Sequence, residues 1–147
     1  MEYVRRLRAQ SRNQLVQAVA WIGEVPVGRG MVLFPEHHEY STSALREGCA
    51  EVRDLFVARQ RRRLGVATAI MEGLERATDS HGMRIVGLSV ALDDESAAAR
   101  SLYDRRGYRD AHGPYVESVN LDGDRGPIAV GSVMTFLVKN LADPIGS

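Results

Sequence analysis

Apolar residues along this chain recur at two periods, every second position and every third to fourth, and the switches between them predict alternating strands and helices. Leu15 to Ile22, Leu-Val-Gln-Ala-Val-Ala-Trp-Ile, and Val27 to Phe34, Val-Gly-Arg-Gly-Met-Val-Leu-Phe, are strand-like runs. The Gly23 to Pro26 turn between them predicts an antiparallel hairpin. Met1 to Asn13 is charged, with Tyr3, Val4 and Leu7 on one thin helical stripe, and predicts a short helix. Val52 to Met71 begins as an apolar strand and runs through a basic turn into a helix. Over Arg62 to His81, Val66, Ile70 and Leu74 recur at intervals of four beside Ala67, Met71 and Ala77, which leaves Glu72, Glu75 and Arg76 for the other face. Gly82 ends this helix, and Met83 to Val90 reads as a mostly buried strand. Strand, helix, strand implies a parallel pair with a right-handed crossover. Asp93, Asp94 and Ser96 are N-cap candidates for a second helix that stops at Gly107, with Ala98, Ala99, Leu102 and Tyr103 inward. Tyr115 to Val119 and Gly131 to Val138 predict paired strands, separated by the turn-rich Asn120 to Pro127.

The chain of 147 residues, 44% hydrophobic and 26% charged, is long enough for one domain over 1–147 with a core of its own. Lys plus Arg and Asp plus Glu balance at 19 each, so the net field gives no reason to expect a nucleic acid partner. The basic charge is local, at Arg59 and Arg61 to Arg63. A single cysteine, Cys49, excludes an internal disulfide framework and a cysteine-cluster zinc site. No apolar run reaches the roughly 20 residues that span a bilayer, and residues 1 to 15 lack the apolar segment of a signal peptide, so the expectation is a cytoplasmic protein with no membrane partner. Pro35 to Gly48 is polar and aperiodic, the kind of long loop that is often functional. His37 and His38 within it, flanked by Glu36 and Glu39, are read as surface histidines and no metal is expected, because adjacent loop positions do not by themselves fix a coordination geometry.

Chemistry concentrates at the basic turn. A helix start offers several backbone N–H groups without an intrahelical partner, together with the positive end of the helix dipole, and so suits an anion. Gly65 lets the backbone approach a bound oxygen, Ala67 keeps the next turn nearly as open, and the arginines can reach phosphate oxygens from the rim. A solvated basic turn ahead of an ordinary amphipathic helix accounts for the same residues equally well on composition alone.

Two motifs in register decide between these readings. Arg62-Arg63-Leu64-Gly65-Val66-Ala67, directly after Leu55-Phe56-Val57, resembles the Gln/Arg-x-x-Gly-x-Gly/Ala pyrophosphate turn of the GCN5-related N-acetyltransferases (GNAT family). Ala99-x-x-Leu102-Tyr103 followed by Gly107-Tyr108 resembles that family's Ala-x-x-Leu-Tyr-x-x-x-Gly-Phe/Tyr. The resemblance covers Glu51 to Tyr108. It implies an α/β (α+β) fold with a mixed central sheet, an antiparallel N-terminal hairpin, a parallel β4/β5 pair joined by a helix crossover, and helices on both faces. It implies acetyl-CoA as co-substrate, bound by Phe56, Val57, Arg62, Arg63, Leu64, Gly65, Val66, Ala67, Thr68, Ser96 and Leu102. Phe56 and Val57 would bond the pantetheine through their backbones, and Val57 N–H would also face the oxyanion. Two departures stand out. Ser96 occupies the place where many members have Asn, which leaves the bond to the pantetheine arm shorter, water-mediated or absent. The family usually starts with a strand and one or two helices, which leaves open that the first strand is missing here.

Acyl transfer needs a neutral amine, a stabilised oxyanion and a protonated leaving thiolate. The resemblance implies Tyr103 as the acid; the alternative role for it is a buried aromatic anchor. The resemblance also implies Glu51, six residues before Val57, as the candidate base, since some members place a glutamate there, with Asp54 or a water chain as the alternatives. In a regular strand Glu51 and Asp54, an odd number apart, face opposite ways, and a bulge would change that parity. Cys49 shows no activating partner by spacing, so direct transfer in a ternary complex is expected rather than an acyl-cysteine route. The acceptor is a small-molecule or peptide amine, and Glu36, Glu39 and Glu47 favour a cationic one. An exposed C-terminal strand leaves a homodimer open. The competing function is a non-catalytic acyl-CoA-binding regulatory module. A third reading, a nucleotide-binding protein, is disfavoured by the missing Gly-x-x-x-x-Gly-Lys-Ser/Thr loop.

Overall fold

The protein was described as a computed structural model over residues 6–12, 15–34, 49–62 and 65–142. Seven strands, β1 (Arg6–Arg12), β2 (Leu15–Ile22), β3 (Val25–Leu33), β4 (Cys49–Val57), β5 (Ile85–Ala91), β6 (Arg109–Gly123) and β7 (Gly126–Asn140), form one sheet in the order β1-β2-β3-β4-β5-β7-β6. Helix α1 (Val66–Ser80) links β4 to β5, and α2 (Ala97–Arg105) links β5 to β6. The β4/β5 pair is parallel, as the strand-helix-strand pattern requires, and the other described neighbours are antiparallel. Among the described residues no helix is long and apolar enough to cross a membrane.

The helix expected over Met1 to Asn13 is instead a strand where it is described, paired with β2 from Arg6↔Trp21 to Arg12↔Leu15. Its two apolar residues, Leu7 and Ala9, are two apart, which is a strand period, and the apolar β2 offers a full ladder of backbone partners. The first strand is therefore present. β1 ends at Arg12 and β2 starts at Leu15, so two residues join them and no helices intervene. Tyr3, Val4, His37, His38 and the acidic residues of the 35–48 loop lie outside the described residues.

Both helices pack on the same face rather than on both faces. Val66, Ile70, Met71 and Leu74 of α1 share one core with Tyr103 of α2, Tyr108, Val52, Val57, Val86, Leu88 and Leu137. The reason is handedness: β4 to β5 and β5 to β6 advance across the sheet in the same direction, and two right-handed crossovers of the same sense must place their helices on one side. Each fully buried aliphatic side chain of α1 contributes roughly 1.5 to 3 kcal/mol of transfer free energy, so this stripe fixes the helix to β2, β3 and β4. Gly28 and Gly30 of β3 let it come close, since a Cβ at Gly28 would stand 2.8 Å from Ile70 Cδ1 and 2.9 Å from Val66 Cγ1.

Glu75 is also turned inward, against the expectation that it would face solvent. It neighbours Leu74 and Met71 on the buried stripe, and two cations from other elements meet it there. At the C-terminal end, the turn spread over Asn120 to Pro127 by composition is confined to Asp124 and Arg125, with Gly123 paired to Gly126. Residues 120–123 and 126–130 are strand, and the hairpin runs on past the last β5 partner at Ala91↔Met134.

Candidate active site

β4 is irregular where the chemistry was expected. The β3/β4 register shifts between Arg29 and Met31, so that Asp54 and Leu55 together oppose Gly30. Asp54 takes up the extra residue with a left-handed φ of 54°. Val52 and Val57, five residues apart, therefore both reach the helix-side core. Glu51 and Arg53 lie on the opposite face, joined by an ion pair of 3.2 Å, and the Glu51 side chain is almost fully buried.

Past Glu51, ahead of the bulge, β4 and β5 diverge, since their pairing runs only from Cys49↔Ile85 to Glu51↔Gly87. A cavity of about 490 Å³ opens at this divergence, lined by Glu51, Val52, Arg53, Asp54, Leu55, Leu88, Ser89, Tyr103, Glu117 and Met134. The Ala58 N–H donates to Val27 C=O across β3 at 2.8 Å. Alternation along the strand then directs the Val57 N–H and C=O into the gap and those of Phe56 at β3. Of the two residues expected to carry the pantetheine, Val57 presents backbone to the gap, whereas Phe56 presents a half-exposed ring with the Arg29 guanidinium 5.8 Å from its centroid. Arg62 Nε donates to Val57 C=O at 3.3 Å, a contact that a bound ligand pairing with Val57 would replace.

Gly65 is the N-cap of α1 in the left-handed region, φ 77° and ψ 10°, a conformation that costs a Cβ-bearing residue about 1 kcal/mol or more. The first helical bond is Ala69 N–H to Gly65 C=O at 3.0 Å, so the amides of Val66, Ala67 and Thr68 precede the helical ladder. No acidic residue occupies the first turn and no side chain caps it. Those amides are disposed for an anion. Arg63 and Leu64 lie outside the described residues.

Tyr103 projects from α2 into the same cavity as Glu51 and Asp54. Its ring meets Tyr108 edge-on at 5.9 Å, and burial pushes its phenol pKa from 10.0 up to about 12. Ser96 precedes α2, its N–H donating to the Asp93 carboxylate at 2.8 Å, and the Ser96 side chain first, then this N–H, lower the Asp93 pKa. Leu102 and Ala99 pack on the edge of the core.

Sequence reasoning missed the far wall. Ser89, Glu117 and Met134 line the cavity, and Tyr115 shares a hydrogen bond with Ser89 of β5 across β7. Burial is the first cause of a raised Tyr115 pKa, opposed by the Ser89 bond and reinforced by the charges of Glu117 and Glu51. The alternation of Tyr115 and Glu117 was visible in the sequence; what was not visible was the β5-β7-β6 order that brings them to Ser89. Among the described residues no group of three metal-ligating side chains converges.

A family model described as Acetyltransferase (GNAT) family matches residues 2–108. No curated protein matches at a significant level. Solved structures share the fold. An IAA acetyltransferase from Bacillus cereus is 15% identical with a TM-score of 0.62, covering 87% of this chain and 79% of its own. The ribosomal-protein-S18-alanine N-acetyltransferase from Escherichia coli is 13% identical with a TM-score of 0.62, covering 93% and 76%. A GNAT family acetyltransferase from Elizabethkingia anophelis with acetyl-CoA bound is 10% identical with a TM-score of 0.61, covering 87% and 77%.

Proposed function

Because the chain belongs to the GNAT acetyltransferase family, we infer that it moves an acetyl group from acetyl-CoA to a primary amine by direct attack within a ternary complex. The observation that supports this reading is one cavity at the β4/β5 divergence lined by both Glu51 and Tyr103, in a chain whose α1 also begins with an uncapped, acid-free first turn.

The amides of Gly65 to Thr68 grip the coenzyme diphosphate, with Arg62 at the rim, and the Val57 backbone pairs with the pantetheine arm. Glu51 accepts the ammonium proton, directly or through water, and the freed nitrogen lone pair attacks the thioester carbonyl carbon. Val57 N–H donates to the oxyanion that forms. As the C–S bond breaks, Tyr103 gives its proton to the leaving sulfur, and a phenol with a pKa of about 12 remains protonated for that role throughout the neutral range. The cavity carries Glu51, Asp54 and Glu117 against one cation, Arg53, which favours a positively charged acceptor. Cys49 is buried under Phe136 on the face of Glu51 and has no part in the transfer.

The test is thiol release from acetyl-CoA across pooled amines, run beside Tyr103→Phe and Glu51→Gln. Turnover is expected with cationic amines, and each variant should lower kcat by about 10²-fold, the usual scale of general acid-base assistance. Coenzyme binding without turnover on any amine would overturn the catalytic reading. Full activity in Glu51→Gln would move the base to Asp54 or to water.

A further inference from the structure

The buried charge on α1 takes no part in the chemistry above, yet its partners come from the end of α2, the segment before β6 and β7. Glu75 Oε1 accepts from Arg106 Nη2 and from Lys139 Nζ, each at 2.8 Å, and Oε2 accepts from the Tyr108 hydroxyl at 3.0 Å. The Glu75 and Lys139 side chains are 8% and 6% exposed. Arg106 caps the end of α2, Tyr108 begins the segment leading into β6, and Lys139 belongs to β7. α2 itself buries little: Tyr103 is its one buried residue.

The Tyr103 ring is held from the side by Tyr108, edge to face, and Tyr108 N–H donates to Tyr103 C=O at 2.9 Å. The Tyr108 ring is in turn held by Glu75 at its hydroxyl and by the Lys139 ammonium 5.7 Å from its centroid. The chain of contact therefore runs from α1, through one carboxylate and one ring, to the hydroxyl-bearing side chain of α2. α1 is the helix whose first turn offers its amides to the diphosphate.

We propose that Glu75 is a positioning residue, fixing the Tyr103 ring relative to the helix that takes the coenzyme, through Tyr108 and Arg106. The inference rests on the reading of Tyr103 as the acid for its effect on rate, but not for its effect on the ring. A merely structural ion cluster would lower stability and leave the surviving folded enzyme with native constants. A positioning carboxylate lowers kcat in fully folded protein, because a reacting group displaced by about 1 Å loses far more rate than affinity.

Two variants separate the roles. Tyr108→Phe keeps the ring and removes only its bond to Glu75. Glu75→Gln alone would leave the buried Lys139 ammonium without its carboxylate, Arg106 keeping only Glu72 at 3.5 Å, and endanger the fold, so it is paired with Lys139→Met, which removes one negative and one positive charge together. Both proteins are measured by kcat, by KM for acetyl-CoA, and by the ring signals of Tyr103 in ¹³C-tyrosine-labelled protein, assigned with Tyr103→Phe. Expected are a fall in kcat of about 5- to 10-fold with KM for acetyl-CoA within about twofold, and shifted or broadened Tyr103 ring signals. Unchanged Tyr103 signals in both variants would overturn the proposal whatever the activity. Moved signals in a protein whose Tyr103→Phe variant is fully active would remove the acid role of Tyr103 and leave its positioning by Glu75 standing.

Discussion

Tyr103 carries a phenol whose neutral form the fold prefers, and the preference has a thermodynamic signature apart from catalysis. Burial raises its pKa from 10.0 to about 12. A group raised in the folded state contributes stability that is whole below the unfolded value and is lost as pH climbs through the folded one. Stability should thus be flat with respect to this group up to pH 10 and fall between pH 10 and about 12, by up to about 3 kcal/mol for a two-unit shift. Urea melts of the native protein and Tyr103→Phe over that range check it: the slope with pH should be shallower in the variant. Tyr108, raised well above 10.0 by burial first and then by the Glu75 charge, supplies the slope that remains. Glu51 differs in kind, since it is buried beside Arg53 and meets the cavity from the strand itself. Its value lies in the bulge that follows it, which lets strand residues of different parity line one site.

At the scale of elements, the start of α1 and the end of the β4/β5 ladder each depend on one glycine. Gly65→Ala forces a Cβ into φ 77° and narrows the approach to the first amides, so KM for acetyl-CoA should rise about tenfold with kcat little changed, as steady-state kinetics would show. Gly87 pairs with Glu51 on the last rung, and a Cβ there would stand 2.5 Å from Phe136 Cε1 and 3.0 Å from Leu137 C=O. Gly87→Ala should therefore cost about 1 to 3 kcal/mol in a thermal melt, because the ring has to leave its seat over Cys49. The elements that were legible in the sequence were those with a strong period: the β2/β3 hairpin, the β4-α1-β5 unit, and α2 with Tyr103 inward. Those that were not had competing signals. The Arg6–Arg12 strand carries only two apolar residues and a helical stripe reads through it equally well. Glu75 looked solvated because a carboxylate is expected outside, and its partners Arg106, Tyr108 and Lys139 are 31 to 64 residues distant in sequence. The bare first turn of α1 and the inward Tyr103 were legible from motifs, whereas Ser89, Tyr115 and Glu117 needed the strand order to become neighbours.

Across the whole molecule, a net charge of zero conceals a division of labour. Arg59, Arg61 and Arg62 precede α1, and Glu51, Asp54 and Glu117 line the cavity. Raising ionic strength from about 0.05 to about 0.5 M should then raise KM for acetyl-CoA and for a cationic amine alike, since exposed charges are screened within about 10 Å or less. Equal KM values at both salt concentrations would show that neither substrate is drawn by charge. Both helices share one side of the sheet, so the site is reached by passing through the plane of the strands, at the divergence opened by the extra residue at Asp54. That arrangement makes counting matter more than spelling between Glu51 and Val57. Excising the extra residue there would restore regular alternation, leaving Val57 opposite Gly28, and straighten the bend at which the strand parts from its neighbour, so the gap would close even if every remaining letter were preserved. Descendants of this gene are free to exchange many of those letters, but not to gain or lose one.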